Sequence, residues 1–201
     1  MAKIQQAPVP AHIQPALKRS GITIKKYRSA KSFEKVLQAF IKRNEVLHLC
    51  TQKKSAVRST PVGYASKGLT LYVFSEGGGK FANLKENRNV AFSIAEPFKV
   101  AEDFWAYKGI QGWDKARVYS RKEHPRQFEK ALGMMNLVVN GRKLRAQDLS
   151  NHFNHKIIEI NPEKTPLTGS ISDYLIPRKA GQALSDIVEE LTKVLAHTDT
   201  T

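Results

Sequence analysis

From Phe33 onward the apolar positions follow one helical face: Phe33, Val36, Leu37, Phe40 and Ile41 stand at i, i+3, i+4, i+7 and i+8. Ser32, just before them, reads as the N-cap. The period then shortens. VLHLCT (46–51) is rich in strand formers and is followed by the polar turn QKKS. In 56–65, Arg58, Thr60, Val62 and Tyr64 alternate with Val57, Ser59, Pro61 and Gly63, as on the two faces of a strand. Pro61 cannot donate to a ladder, which argues for an edge or a bulge. SKG (66–68) leads into LTLYVF (69–74), so two antiparallel hairpins in one meander are expected over 46–74.

Beyond a glycine triplet, FANLKENRN predicts about two helical turns with Phe81 and Leu84 on one side, and VAFSIAE (90–96) predicts a strand. WAYKGIQGWDKARVYS (105–120) reads as a strand bent around Gly109 and Gly112. Pro125 suits the first turn of a helix ending near Met135. KIIEI (156–160) is a sixth strand closed by Pro162, and Leu184, Ile187, Val188, Leu191 and Leu195 stripe a last helix over 181–197. Six short, mostly antiparallel strands with peripheral helices indicate an α+β fold, and six is the right number for a small closed or partly closed barrel. The expected organisation is a basic N-terminal arm (1–30, with Pro8, Pro10 and Pro15), a barrel domain (31–170) and a helical extension (171–201).

Composition narrows the classes. A chain of 201 residues suits one domain with its own core. No apolar run approaches the ~18 residues of a membrane span. The first twenty residues lack the apolar segment of a secretory signal, so a soluble cytoplasmic protein is expected. The single cysteine, Cys50, rules out an internal disulfide and a multi-cysteine zinc site, and its strand setting reads as that of a small buried hydrophobe. His48, on the same apolar strand, reads as a core histidine. His152 and His155 have nearly the spacing of a helical metal pair, but no Glu-rich motif follows, and a solvated loop is the simpler reading. No metal site and no Ser-His-Asp arrangement is expected.

The net charge of +15 is concentrated at one end: residues 1–60 hold 13 Lys or Arg against only Glu34 and Glu45. Such a segment can track a nucleic-acid backbone. No aromatic platform or recognisable DNA-binding motif accompanies it, so a solvated basic surface is the preferred reading and nucleic acid the rival.

The stretch SEGGGKFANLKENRNVAFSI (75–94) holds the densest chemical signal. Three glycines and a lysine opening a helix make a plausible phosphate cradle, because free N–H groups and a positive charge favour the same anion. Neither a Walker motif nor the GxGxxG spacing is present, and a plain strand-to-helix turn explains the glycines equally well.

The succession of a helix, a strand, RSTPVGYASKGLTLYVFSEGGGKFANLKENRNVAFSI and later GIQGWDKARVY resembles the pyridoxamine 5′-phosphate oxidase-like, FMN-binding split-barrel superfamily over about residues 32–165. The resemblance implies a six-stranded antiparallel split barrel, a homodimer, and FMN held where two subunits meet. It implies Lys80 as the phosphate-contacting lysine, Ser75 at a strand end near the flavin or its phosphate, and Arg58, Ser59 and Thr60 on the strand facing the flavin. It further implies Gln111 and Trp113 on a strand that approaches the cofactor from the partner subunit. Where many relatives have Ser-Arg-Lys, this chain has Gly78-Gly79-Lys80, so the amides of Gly77, Gly78 and Gly79 would replace side-chain contacts. The expected function is that of a flavin-dependent oxidoreductase acting on a small molecule. The rivals are a non-catalytic module that binds flavin or haem, and the deazaflavin F420 in place of FMN. A flavin enzyme needs few reactive side chains, because the isoalloxazine carries the redox chemistry.

Overall fold

The structure, a computed structural model, describes residues 10–19, 21, 27–99, 101–102, 108–149 and 154–161, and the backbone alone at 3–4 and 170–173. The expected helix over 181–197, Trp105, His152 and Pro162 lie outside the described residues.

Within the basic N-terminal segment, a two-residue strand β1 (Lys3–Ile4) and a short helix α1 (Gln14–Arg19) form, the latter burying Ala16 and Leu17. Helix α2 (Ala30–Arg43) begins earlier than its apolar stripe suggests. Its N-cap is Ser29, not Ser32: the Ser29 hydroxyl accepts from the Ser32 N–H at 3.1 Å, and the Ser32 hydroxyl accepts from the Ser29 N–H at 3.1 Å. This reciprocal box satisfies two otherwise orphaned donors with residues that the hydrophobic period does not register. Phe33, Leu37, Phe40 and Ile41 are buried as the stripe requires.

Strands β2 (Val46–Lys53) and β3 (Ala56–Gly63) form the first hairpin, and β4 (Ala65–Lys67) and β5 (Thr70–Ser75) the second. They do not form one meander. Helix α3 (Gly79–Glu86) and strand β6 (Asn89–Ala95) follow, then β7 (Gly109–Lys115), β8 (Arg117–Ser120) and helix α4 (Pro125–Met135) with proline at its start. A small hairpin, β9 (Val138–Val139) and β10 (Arg142–Lys143), precedes β11 (Lys156–Ile160) and β12 (Ser170–Asp173). One sheet has the order β1-β12-β7-β6-β2-β3 and the other β4-β5-β11-β8. All pairings are antiparallel except β1 with β12.

The expected six strand runs are all present, but two of them cross from one sheet to the other. The run 56–67 turns at Tyr64, whose N–H donates to the Glu45 carbonyl at 3.0 Å and whose hydroxyl donates to the Ile41 carbonyl at 2.7 Å. The run 109–120 turns at buried Ala116, not at Gly109 or Gly112, and the Ala116 N–H is held by the Arg88 carbonyl at 2.8 Å. The expected single six-stranded barrel is therefore replaced, among the described residues, by two sheets that exchange strands at these corners without closing. Asp114, buried beside the second corner, accepts the Asn161 backbone N–H and so ties β7 to the end of β11.

The main core lies between the sheets, where α2 and α3 contribute Phe33, Leu37, Phe40, Phe81 and Leu84 against Leu47, Leu49, Val73, Phe92 and Ile158. A second cluster lies on the far side of the four-stranded sheet, where Phe128, Leu132 and Met135 of α4 cover Tyr72 and Ile157. The opposite face of the six-stranded sheet carries His48 and Cys50. His48 is exposed rather than buried, and Cys50 is half-buried, because β2 points Leu47, Leu49 and Thr51 inward and their neighbours outward. Of the edge and the bulge that Pro61 allowed, β3 is an edge strand. No helix among the described residues is long and apolar enough to cross a membrane.

Candidate functional site

Two glycines of the triplet, Gly78 and Gly79, have a physical reason each. Gly78 is the N-cap of α3 with φ 100° and ψ 177°, a region of backbone space essentially confined to glycine. Gly79 lies under the Arg58 guanidinium: a Cβ there would stand 3.2 Å from Arg58 Nη1 and 3.4 Å from Cζ. Gly77 has open space where a side chain would be, and its carbonyl accepts from Lys80 Nζ at 2.8 Å. No side chain caps α3; the Phe81 N–H donates to the Gly78 carbonyl at 3.1 Å, and the Gly79 and Lys80 N–H groups ahead of it are left to solvent or to an anion.

Lys80 is 8 % exposed, unusual for a lysine. Its ammonium stands 5.2 Å from the Phe81 ring centroid, and Lys156 Nζ stands 5.4 Å from the same centroid. Burial, and secondarily the positive charge of Arg58, lower the Lys80 pKa below the ordinary lysine value. Arg58 Nε donates weakly to Thr60 Oγ1 at 3.4 Å. Among the described residues neither Lys80 nor Arg58 forms an ion pair. Glu76, the nearest carboxylate in sequence, points its Oε1 to within 3.4 Å of His155 Nε2 instead, and the His155 ring stacks on Phe74.

Strand register assembles the rest. Arg58 is directly opposite Thr51, and Thr51 Oγ1 accepts from Asn83 Nδ2 at 3.0 Å, fixing α3 to the buried face of the six-stranded sheet. Thr60 is two residues along the same face as Arg58. Ser75 continues the face of Leu71 and Val73, which point into the main core, and it is directly opposite Lys156. Arg58, Thr60, Ser75, Gly77, Gly78, Gly79 and Lys80 are thus gathered on the α3 side of the structure. The other three expected residues are not. Ser59, Cys50, Ala91 and Trp113 form one row across β3, β2, β6 and β7 on the outer face, and Pro61, His48, Ser93 and Gln111 form the next. A sheet thickness separates Ser59, Gln111 and Trp113 from Lys80 of the same chain.

Thr51, Asn83 and Lys156 join the site only through the fold. Asn83 lies within the Asn-Leu step of the helix motif, and so had a local signal. Lys156 had none, since it arrives by pairing with a strand some eighty positions earlier in the chain.

No family model matches the sequence, and no curated protein does. Solved structures do match. HutZ, the heme storage protein from Vibrio cholerae, is 14% identical, with 73% of this chain and 96% of that one covered and a TM-score of 0.52. An FAD and heme binding protein from Mycobacterium smegmatis is 13% identical, with 77% of each chain covered and a TM-score of 0.53. The conserved hypothetical protein Rv2991 from Mycobacterium tuberculosis is 13% identical, with 76% and 91% covered and a TM-score of 0.51. The chain thus shares its fold with these solved structures.

Proposed function

We propose that this chain binds FMN, with the phosphate at the N-terminus of α3, and serves as a flavin-dependent oxidoreductase on a small molecule. One observation carries the reading. Lys80 and Arg58, two cations without a carboxylate partner among the described residues, converge on an uncapped helix start whose N-cap glycine adopts backbone angles open to little else. Holding like charges together in a part-buried place is unfavourable unless an anion compensates them. A phosphate monoester does so and also accepts from the open N–H groups of α3. Thr60, whose hydroxyl accepts from Arg58 Nε at 3.4 Å, and Ser75 at the end of β5 would offer hydroxyls to its remaining oxygens. The flavin ring, when bound, supplies the hydride chemistry. The chain's own residues anchor the phosphate, and Thr51 and Asn83 hold α3 at a fixed distance from the edge strand that carries Arg58. Two of the solved structures of like fold record heme or FAD in their names, which supports a flavin over other phosphate-bearing ligands and keeps haem as the rival.

The reading includes a two-fold homodimer. Gln111 and Trp113 cannot reach Lys80 of their own chain, but the outer face they occupy is open, with Trp113 42% and Val57 70% exposed. A second copy packed on that face would bring both residues toward the flavin and bury the exposed apolar side chains.

The test is the absorption spectrum of the purified full-length protein before and after adding FMN. Flavin bands that persist through gel filtration support the proposal. A Soret band on the protein as isolated would replace FMN with haem, and a protein that retains no added FMN overturns the reading.

A further inference from the structure

The side of the four-stranded sheet facing α4 carries a polar row that the flavin reading does not use. Tyr72, Glu159 and Arg117 are directly opposite one another across β5, β11 and β8. Arg117 Nη1 donates to Glu159 Oε1 at 2.8 Å, and the Tyr119 hydroxyl approaches Glu159 Oε2 at 3.4 Å. These residues alternate with Val73, Ile158 and Val118, which belong to the main core, so the row faces away from the Gly77–Lys80 loop. Helix α4 covers only part of it. Between the helix and the row lies a cleft of about 210 Å³, whose walls include Tyr72, Arg117, Lys130, Met134 and Glu159.

Beyond the Arg117–Glu159 pair, the wall groups keep bonding capacity for a ligand. The Tyr72 hydroxyl, a strong donor, donates to Met134 Sδ at 3.1 Å, and a thioether is a weak acceptor. Burial, with the Glu159 charge second, raises the pKa of both Tyr72 and Tyr119, so both hydroxyls remain protonated donors across the physiological range. Lys130 makes no ion pair among the described residues. Two cations against one carboxylate leave the cleft with one excess positive charge. Glu159 on its floor opposes a doubly charged phosphate, while Ala131, Met134 and the Tyr72 ring offer apolar surface suited to a flat body.

We propose that this cleft is a second binding site, separate from the flavin loop, for a small planar organic monoanion whose carboxylate meets Lys130 and Arg117 and whose ring lies against Met134 and Tyr72. The experiment is a titration of full-length protein carrying ¹³C-methyl methionine with benzoate, and with benzamide as its uncharged counterpart, followed by NMR. The expected result is a saturable shift of the Met134 methyl with benzoate, and binding of benzamide weaker by about tenfold or more. Lys130→Glu, on an exposed helix position, should weaken benzoate by a similar factor, and Tyr72→Phe, which keeps the ring, by several-fold. Absence of a saturable Met134 shift, equal affinity for benzamide, or unchanged affinity in Lys130→Glu would each overturn the proposal. Flavin absorbance recorded on the same samples reports the other site separately, so failure of one reading leaves the other measurable.

Discussion

The guanidinium of Arg58 occupies the space that a side chain on Gly79 would need: a Cβ at Gly79 would stand 3.2 Å from Arg58 Nη1. The edge strand β3 and the start of α3 are thereby matched, with a missing methyl on one side and a long cation on the other. The contact is with the flexible end of an exposed side chain, so Gly79→Ala should displace Arg58 without disturbing the backbone. The expected outcome is an unchanged melting temperature and FMN affinity reduced several-fold. Arg58→Gln should reduce it further. Isothermal titration of both variants with FMN checks this, and wild-type affinity in Gly79→Ala would show that Arg58 does not serve the phosphate.

Lys80 supplies a prediction in which stability and binding move in opposite directions. A charge-assisted hydrogen bond contributes about 1.5–3 kcal/mol, so Lys80→Met should weaken FMN by roughly 10- to 150-fold. Riboflavin, which lacks the phosphate, should be little affected. Equal losses for the two ligands would mean that Lys80 acts through the fold.

The same residue sets a pH dependence in the flavin-free protein. Burial first, and Arg58 second, hold its pKa below the 10.5 of an ordinary lysine. The unfolded chain therefore keeps the Lys80 proton to higher pH than the folded one does. Stability is reduced while Lys80 is charged in both states, and is regained as pH rises through the lowered folded pKa toward 10.5. Urea denaturation between neutral and alkaline pH should show Lys80→Met more stable than wild type at neutral pH, with the gap closing as pH rises. A gap that is constant or absent contradicts this.

Gly112 is directly opposite Phe92 across β6 and β7, and a Cβ there would fall 2.4 Å from Phe92 Cζ. Phe92 is buried in the main core and has nowhere to retreat. Gly112→Ala should therefore cost about 1–3 kcal/mol by overpacking, seen as a fall of several degrees in melting temperature. An unchanged thermal transition would show that the ring has another place to go.

Trp113 tests the dimer. It stands 42% exposed beside half-buried Ala91 on the outer face of the six-stranded sheet. Trp113→Arg should give a folded monomer by sedimentation equilibrium where wild type is a dimer, and FMN affinity should fall with it. A monomeric wild type that binds FMN tightly would remove the partner's role in the site.

The local pattern of the chain was enough to locate its longer elements, though not α1, the β9–β10 hairpin or β12. Helical spacing placed Phe33, Leu37, Phe40 and Ile41 on the buried face of α2, and Pro61 restricted β3 to an edge or a bulge, because steric and hydrogen-bonding rules act over a few residues. The same locality explains the Gly78–Lys80 signal, where strand end, tight turn and helix start are contiguous. The β9–β10 hairpin, with Asn140 and Gly141 at positive φ, also carried a local sign in its Asn-Gly pair, though its strands are too short to show an alternating pattern.

What locality could not determine is which strands share a sheet. The chain leaves one sheet for the other at Tyr64 and Ala116, held there by bonds to Glu45, Ile41 and Arg88 that only the assembled fold brings near. Those corners decide that Lys156 pairs opposite Ser75, and that Arg58 bears on Gly79 while Ser59, one residue on, faces the other side. They also decide that Gly112 makes room for Phe92 instead of bending a strand. His48 and Cys50 show the same limit in miniature. Their strand is apolar enough to be buried on both faces, and only the absence of a layer over its outer face within the described structure leaves them toward the surface. Side-chain direction within a strand is set by a two-residue period, but which direction is inside is set by what packs against the sheet, and that is a property of the tertiary structure alone.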